Sequence, residues 1–312
     1  MSAARALAVS VIGLHKQFLG VTALRDIEFS VPVGTTAAVV GPPGCGKSTL
    51  LRILLGQLRP NSGTVRVDAA GGIGALTQPR GLHPGRTVRG QLRAYAAAAG
   101  VDDDSAEKLL TLLRLHADAD SRIKLLPDGA RTRLALAQAM VANPGVLILD
   151  DPFTGLDPGE RGWLADHLRG HARRGGTTVL TSRSLAEAVP VCDQVVVLDT
   201  ASVVYLGSPR RLRRSHPDRL LVPASSPIAL ATALAAAGFT DTVMRGDGRL
   251  AVAEASREEI QAAARRADVR VGDMIPDPVH PDRVLSMLVK TPAPQPYSTT
   301  GAAVAGNDYG TR

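Results

Sequence analysis

The stretch GPPGCGKST, Gly41–Thr49, carries the densest chemical information in the chain. It satisfies the pattern G-x-x-x-x-G-K-S/T, and it stands where a β-prone apolar run, Thr35–Val40, meets a helical pattern that begins near Lys47. Glycines such as Gly41, Gly44 and Gly46 let the main chain wrap closely round phosphate oxygens. The N–H groups of Gly44, Gly46 and Lys47 would then point inward at a helix N-terminus. Lys47 would reach the outer phosphates of a nucleoside triphosphate and Ser48 would hold Mg²⁺, with Cys45 and Thr49 completing the loop.

A second constellation closes another apolar run. GVLILDD, Gly145–Asp151, sets Asp150 and Asp151 side by side at a strand end. Taken alone, paired acids in that position also read as a helix cap. Downstream of a phosphate loop, Asp150 reads as a second Mg²⁺ anchor and Asp151 as the group that orients or deprotonates an attacking water. A third run, TTVLTS, ends beside Arg183 in LTSRSLAEAV, where a helix opens near Ser184.

These residues need strands that carry them to one edge. The apolar runs TTAAVV, GVLILDD, TTVLTS and QVVVLD are separated by helical stretches, the order expected of a parallel sheet covered on both faces. The first forty residues alternate instead: LAVSVIGL and IEFSVPVG, split by a polar turn, predict an antiparallel β layer. From Thr87 to about Met140 the pattern is helical throughout, predicting an inserted helical lobe at about 87–140. From about Leu220 the order becomes a strand LLVPA, an alanine-rich helix from Pro227, a hairpin TDTVMRGDGRLAVAEA, a helix SREEIQAAARRA and a strand VRVGDMI. That order is ferredoxin-like; Ser256 and Glu259 have capping-box spacing, and GDG signals the hairpin turn. The expected organisation is an α/β nucleotide-binding domain over 1–210 and an α+β accessory domain over 211–290, ferredoxin-like at about 218–277. The Pro-, Gly-, Ser- and Thr-rich tail, 291–312, is expected to be disordered.

Composition narrows the function classes. At 312 residues and 45% apolar content the chain is long enough for two domains with buried cores. Cys45 and Cys192 cannot build a disulfide framework and no secretory apolar segment follows Met1, so reduced cytosol is the expected compartment. The longest uncharged run, Leu220–Thr240, is interrupted by Pro223 and Pro227, and no membrane span of the chain's own is expected. The net charge of +7 has one dense cluster, RRLRR at Arg210–Arg214, which reads as a solvated helix face or linker, or as a lipid head-group contact. With 3% aromatics there is no aromatic-interleaved basic surface, and no nucleic-acid partner is expected.

From about Val9 to Pro209 the motifs fall in an order that resembles the ATP-binding cassette family, the nucleotide-binding subunits of ABC transporters. The resemblance implies a P-loop NTPase core that binds ATP and Mg²⁺. Phe18, in HKQFLGVTAL, matches the aromatic that stacks on adenine, and Gln78, in GALTQPRGLHP, matches the glutamine that touches Mg²⁺ and links the sheet core to the helical lobe. LPDGARTRLALAQAM matches the signature motif and its helix, with Gly129 in the phosphate-facing part. LILDDPFTGLDP matches the Walker B strand and the following D-loop that contains Asp157, and TSR matches the family's histidine loop. The accessory region with PDPVHPDRVLSMLV resembles the C-terminal extension of drug- and lipid-exporting ABC-2-type subunits. Such subunits form homo- or heterodimers and dock on separate transmembrane permease chains at the cytoplasmic face of the cell membrane, the helical lobe and Gln78 loop receiving the permease.

Three departures fall on the chemistry that the resemblance implies. The family's catalytic glutamate is Asp151 here, one methylene shorter, which withdraws the carboxylate by roughly the 1 Å that can cost about 10²-fold in rate. The family's histidine is Arg183, which could contact the γ-phosphate as an arginine finger does, lock the nucleotide in place, or turn away to pair with Asp157 or another acid. The signature LSGGQ is LPDGA, Leu126–Ala130: Pro127 removes a hydroxyl and an N–H, and Asp128 brings a charge of the same sign as phosphate. Family subunits pair head to tail, so the signature of one chain faces the Walker motifs of the other, and these losses touch both halves. The expectation is an exporter subunit that binds ATP well, closes weakly and hydrolyses slowly. The alternative is a nucleotide-sensing regulatory or assembly subunit. A soluble cassette protein of translation or DNA repair fits less well, because those carry two cassettes or a long coiled coil.

Overall fold

The computed structural model describes residues 6–289, and the tail 291–312 lies outside them. Two long strands, β1 (Leu7–Phe18) and β2 (Val21–Pro32), lead to β3 (Thr36–Val40), α1 (Lys47–Leu54), β4 (Ser62–Val67) and β5 (Ile73–Leu76). A helical stretch follows with α2 (Val88–Ala98), α3 (Asp103–Leu112) and α4 (Asp128–Met140). The chain then alternates through β6 (Val146–Leu149), α5 (Pro158–Arg173), β7 (Thr177–Ser182), α6 (Leu185–Ala188), β8 (Gln194–Asp199), β9 (Ser202–Gly207) and α7 (Pro209–Ser215). The remainder is β10 (Arg219–Val222), α8 (Pro227–Ala236), β11 (Thr242–Met244), β12 (Leu250–Ala253), α9 (Arg257–Arg266), β13 (Ile275–Asp277) and α10 (Pro281–Leu288).

The central sheet has the order β5-β6-β7-β3-β8-β9 and is parallel except for β9, which pairs antiparallel with β8. Every residue of β3, β6 and β7 is buried, because both faces of these strands are covered. Val39, Ile148 and Val179 share one apolar cluster with Leu50 and Leu51 of α1 and with Val11 and Leu14 of the antiparallel layer β2-β1-β4. Leu149 and Leu180 face the opposite cluster, which includes Leu92, Leu110 and Leu134 of the helical lobe. The arrangement brings the C-terminal ends of β3, β6 and β7 together beside the N-terminus of α1. Strands β4, β5 and β9 are edge or short strands that were not singled out in the sequence: β4 is largely exposed, β5 is only four residues long, and β9 is partly exposed along its length.

The RRLRR cluster lies on α7, where Leu212 is buried and the four arginines are exposed. Beyond it stands an antiparallel sheet of order β11-β12-β10-β13, the ferredoxin-like arrangement, with Val222, Leu230, Leu234, Val252 and Ile260 in its core. Ser256 and Glu259 form the capping box that opens α9. The run VRVGDMI is not the strand that its composition suggests. Val271 makes a single bridge to Ala224, the Gly272 N–H donates to the Pro223 carbonyl, and the strand proper, β13, pairs further along with Arg219–Leu221. Helix α10 then leaves this sheet: Val284 and Leu285 are buried in the same cluster as Leu185 and Ala188 of α6. Among the described residues no helix is long and apolar enough to cross a membrane.

One half-buried histidine predicts a pH dependence. His167 on α5 stacks on Trp163 with ring centroids 5.4 Å apart, and burial, with the positive charge of Arg174 adding to it, pushes its pKa down to about 4. An unfolded histidine titrates near 6.5, so between those values the unfolded chain binds the extra proton and the folded chain does not. The stabilisation is complete above about pH 6.5 and is lost as pH falls toward 4. Denaturation midpoints measured across that window will fall on acidification, and His167→Phe, which keeps the stack, will flatten the slope.

Candidate nucleotide site

The loop between β3 and α1 is shaped by positions that tolerate no side chain. Gly46 caps α1 at φ 103°, and a Cβ there would meet the Ala23 carbonyl oxygen at 2.3 Å. No side chain caps this helix and no acid occupies its first turn, so its leading N–H groups are left for an anionic ligand. Gly41 closes the loop against the sheet, since a Cβ there would lie 2.2 Å from the Leu198 carbonyl oxygen. Lys47 is 9% exposed, and its Nζ donates to the carbonyls of Gly41 at 2.6 Å and Pro42 at 2.8 Å. Cys45 departs from the expected ligand role: its side chain is buried with the apolar cluster under the loop, its Sγ 3.7 Å from Lys47 Nζ. Burial, opposed by the charge of Lys47, holds its thiol above the ordinary range.

Around this loop lies a cleft of about 330 Å³ lined by Gly44, Gly46, Lys47, Ser48 and Thr49 from one side. Gln78, Asp150, Asp151, Thr181 and Arg183 close it from the other. Gln78 follows β5, and its carbonyl accepts from Arg52 of α1. Asp150 is buried at the end of β6, where its Oδ1 accepts from Thr181 Oγ1 at 2.6 Å; that hydroxyl in turn accepts from the Asp151 N–H at 2.9 Å. Thr181 therefore fixes both acids, and it was not among the residues singled out from the sequence. Its signal was the polar residue at the end of the apolar run TTVLTS, but only the pairing of β7 with β6 puts it beside Asp150.

Asp151 adopts φ 53°, in the left-handed region, and its Oδ2 lies 3.3 Å from Arg183 Nε. Of the arrangements open to Arg183, the guanidinium has paired with an acid, and the acid is Asp151 rather than Asp157. Asp157 instead caps α5, accepting from the Glu160 N–H at 2.8 Å while Glu160 reaches back to the Asp157 N–H at 3.0 Å. It does not line the cleft. Phe18 is also outside it, exposed at the end of β1 with Lys16 Nζ 4.9 Å from its ring centroid.

Gly129 lies at the start of α4, pressed so closely against the Asp157 loop that a Cβ would meet the Gly155 carbonyl oxygen at 2.6 Å. Pro127 leaves this helix without a side-chain cap. The charge of Asp128 is offset: Arg80, two residues past Gln78, donates to its carboxylate at 2.8 Å and holds its pKa below the usual range. A second pair, Arg133 with Glu160 at 3.1 Å, ties α4 to α5.

An uncapped helix terminus and a glycine-shaped loop fit phosphate oxygens, and the Ser48 hydroxyl, Gln78 amide and Asp150 carboxylate are the hard oxygen donors that Mg²⁺ takes. Strand, glycine loop and helix, with a strand-end aspartate pair facing the loop lysine across one cleft, define a P-loop nucleotide-binding protein. The more particular membership follows from comparison with known proteins. The family model described as ABC transporter matches residues 24–154. Nod factor export ATP-binding protein I of Bradyrhizobium sp. (strain SNU001) is 34% identical over 223 residues, covering 67% of this chain and 73% of that protein. The protein of the same name from Ralstonia nicotianae is 33% identical over 65% of this chain and 68% of its own length. A solved structure of the ATP-binding subunit of an ABC transporter superposes with a TM-score of 0.61 at 25% identity, covering 67% of this chain and 92% of that one. The chain belongs to the ATP-binding subunits of ABC transporters.

Proposed function

We propose that this chain is the ATPase subunit of an exporter, peripheral at the cytoplasmic face of the cell membrane, where it drives or gates a separate permease with slow ATP turnover. The observation that carries the reading is the convergence of Lys47, Ser48, Asp150 and Asp151 on one cleft. The α1 N–H groups and Lys47 would bind the phosphates, and Ser48 and Asp150, with Gln78, would hold Mg²⁺. Bound Mg²⁺ supplies charge neutralisation on the phosphate oxygens. Asp151 accepts a proton from the attacking water as ADP and phosphate form. The pair with Arg183 engages that carboxylate, and together with its short reach this supports slow hydrolysis. Outward transport is carried over from the relatives named for export. Gly129 and its neighbours do not line the cleft of their own chain, which supports a head-to-tail dimer in which a second subunit's signature faces the ATP.

The Arg183–Asp151 pair also favours a second reading, a nucleotide-sensing subunit that hydrolyses little. Both are tested by purifying the chain with the membrane protein it captures and measuring phosphate release alongside Asp151→Asn. Turnover at or below about 1 per second, the floor of the common enzyme range, that falls further in Asp151→Asn supports the slow motor. Turnover of tens per second overturns slow hydrolysis. Transport that survives Asp151→Asn but not Lys47→Ala selects the sensor.

A further inference from the structure

The segment that carries Arg183 is fastened from a distant part of the chain. Arg183 is two-thirds exposed and has Asp151 as its ion-pair partner, and the main chain on either side of it sets the point from which that side chain reaches. On one side, Ser182 Oγ donates to Glu187 at 3.1 Å, and Glu187 pairs with Arg161 of α5 at 3.0 Å. On the other, Ser184 Oγ donates to Asp282 Oδ2 at 2.9 Å and the Ala186 N–H donates to Asp282 Oδ1 at 3.2 Å. Asp282 opens α10, whose Val284 and Leu285 are buried against α6. Residues 278–280 alone separate α10 from β13 of the accessory sheet, and the Val279 N–H is held by Asp218 at 2.9 Å. Both carboxylate oxygens of Asp282 thus grip the turn that begins one residue after Arg183.

We propose that Asp282 is a positioning residue for the nucleotide site: by holding Ser184 and Ala186 it keeps Arg183 against Asp151, and it makes α10 a restraint on hydrolysis. This rests on the reading of Asp151 and Arg183 as the groups that face the reacting phosphate. A plain helix staple would lend stability and leave the chemistry untouched. A positioning residue acts through Arg183, and its effect disappears when Arg183 is removed.

The experiment uses the full chain with Asp282→Ala, Asp282→Asn and, as a second way to loosen α10, Leu285→Ala, each also in an Arg183→Ala background. The first readout is the Arg183 Nε–H resonance, assigned by its loss in Arg183→Lys. The second is kcat and KM for Mg-ATP. Asp282→Ala and Leu285→Ala will shift that resonance and raise kcat about tenfold, with KM little changed, below the roughly 10²-fold that a full 1 Å displacement can produce. Asp282→Asn can still accept from Ala186 and bond Ser184, and will stay near the parent protein. In the Arg183→Ala background neither variant will change kcat further. An unmoved resonance in Asp282→Ala, or an equal change of kcat with and without Arg183, overturns the proposal. Should the parent chain show no turnover above Lys47→Ala, the ATPase reading fails, and the resonance by itself still decides whether Asp282 positions Arg183.

Discussion

Replacing Lys47 with alanine will weaken Mg-ATP binding by about 10- to 100-fold, because a hydrogen bond to a charged group is worth about 1.5–3 kcal/mol and each 1.4 kcal/mol is tenfold. Lys47 is the lysine of the loop, almost fully buried, and it is anchored on the Gly41 and Pro42 carbonyls so that its ammonium is held at the glycine turn. The helix N–H groups would remain, yet they would face the phosphates without a compensating cation. Titration with a fluorescent ATP analogue reads this directly. Gly44 and Gly46 hold positive φ, which glycine adopts without help from a side chain, and a retained cooperative thermal transition will show that the variant is folded and that the loss is one of binding. Affinity within tenfold of the parent would mean that the cleft is not the nucleotide site.

The second large effect is a gain. Asp151→Glu combined with Arg183→His will raise turnover by roughly 10²-fold, the penalty associated with a displacement of about 1 Å. Two obstacles are removed together: the carboxylate regains a methylene of reach, and the guanidinium 3.3 Å from it gives way to an imidazole that can share a proton. The measurement is steady-state phosphate release by the chain with its membrane partner, with ATP affinity checked separately. Asp151→Glu alone should yield only part of the gain, because Arg183 would still pair with the longer acid. If the double variant is no faster, the LPDGA signature, not this pair, limits the rate.

Much of this protein could be read before any coordinates. The phosphate loop was legible because its constraints are local: Gly46 must adopt a positive φ, α1 must begin at Lys47, and an apolar strand must precede both. The buried strands β3, β6, β7 and β8 announced themselves as runs of aliphatic and β-branched residues with no charge in their interior, as suits strands covered on both faces. The capping box at Ser256 was legible because its constraint is local, a serine and a glutamate three residues apart at a helix start. Strand order was not, because β3 sits between β7 and β8 through pairings that join residues more than a hundred positions apart.

What tertiary structure alone decided is who stands beside whom. Sequence spacing put Arg183 at a strand end but left three fates open; the adjacency of β6 and β7 gave it Asp151 as partner and gave Thr181 both acids to hold. Asp157 looked like part of the nucleotide site until its helix claimed the carboxylate as a cap, and Cys45 until the loop turned its thiol into the core. Arg80 with Asp128, and Asp282 with Ser184, are pairs that no periodicity announces, since each joins segments that only the packed fold brings together. Residue types and short spacings determine which chemistry a chain can hold; the charges that meet across the fold decide how freely that chemistry runs.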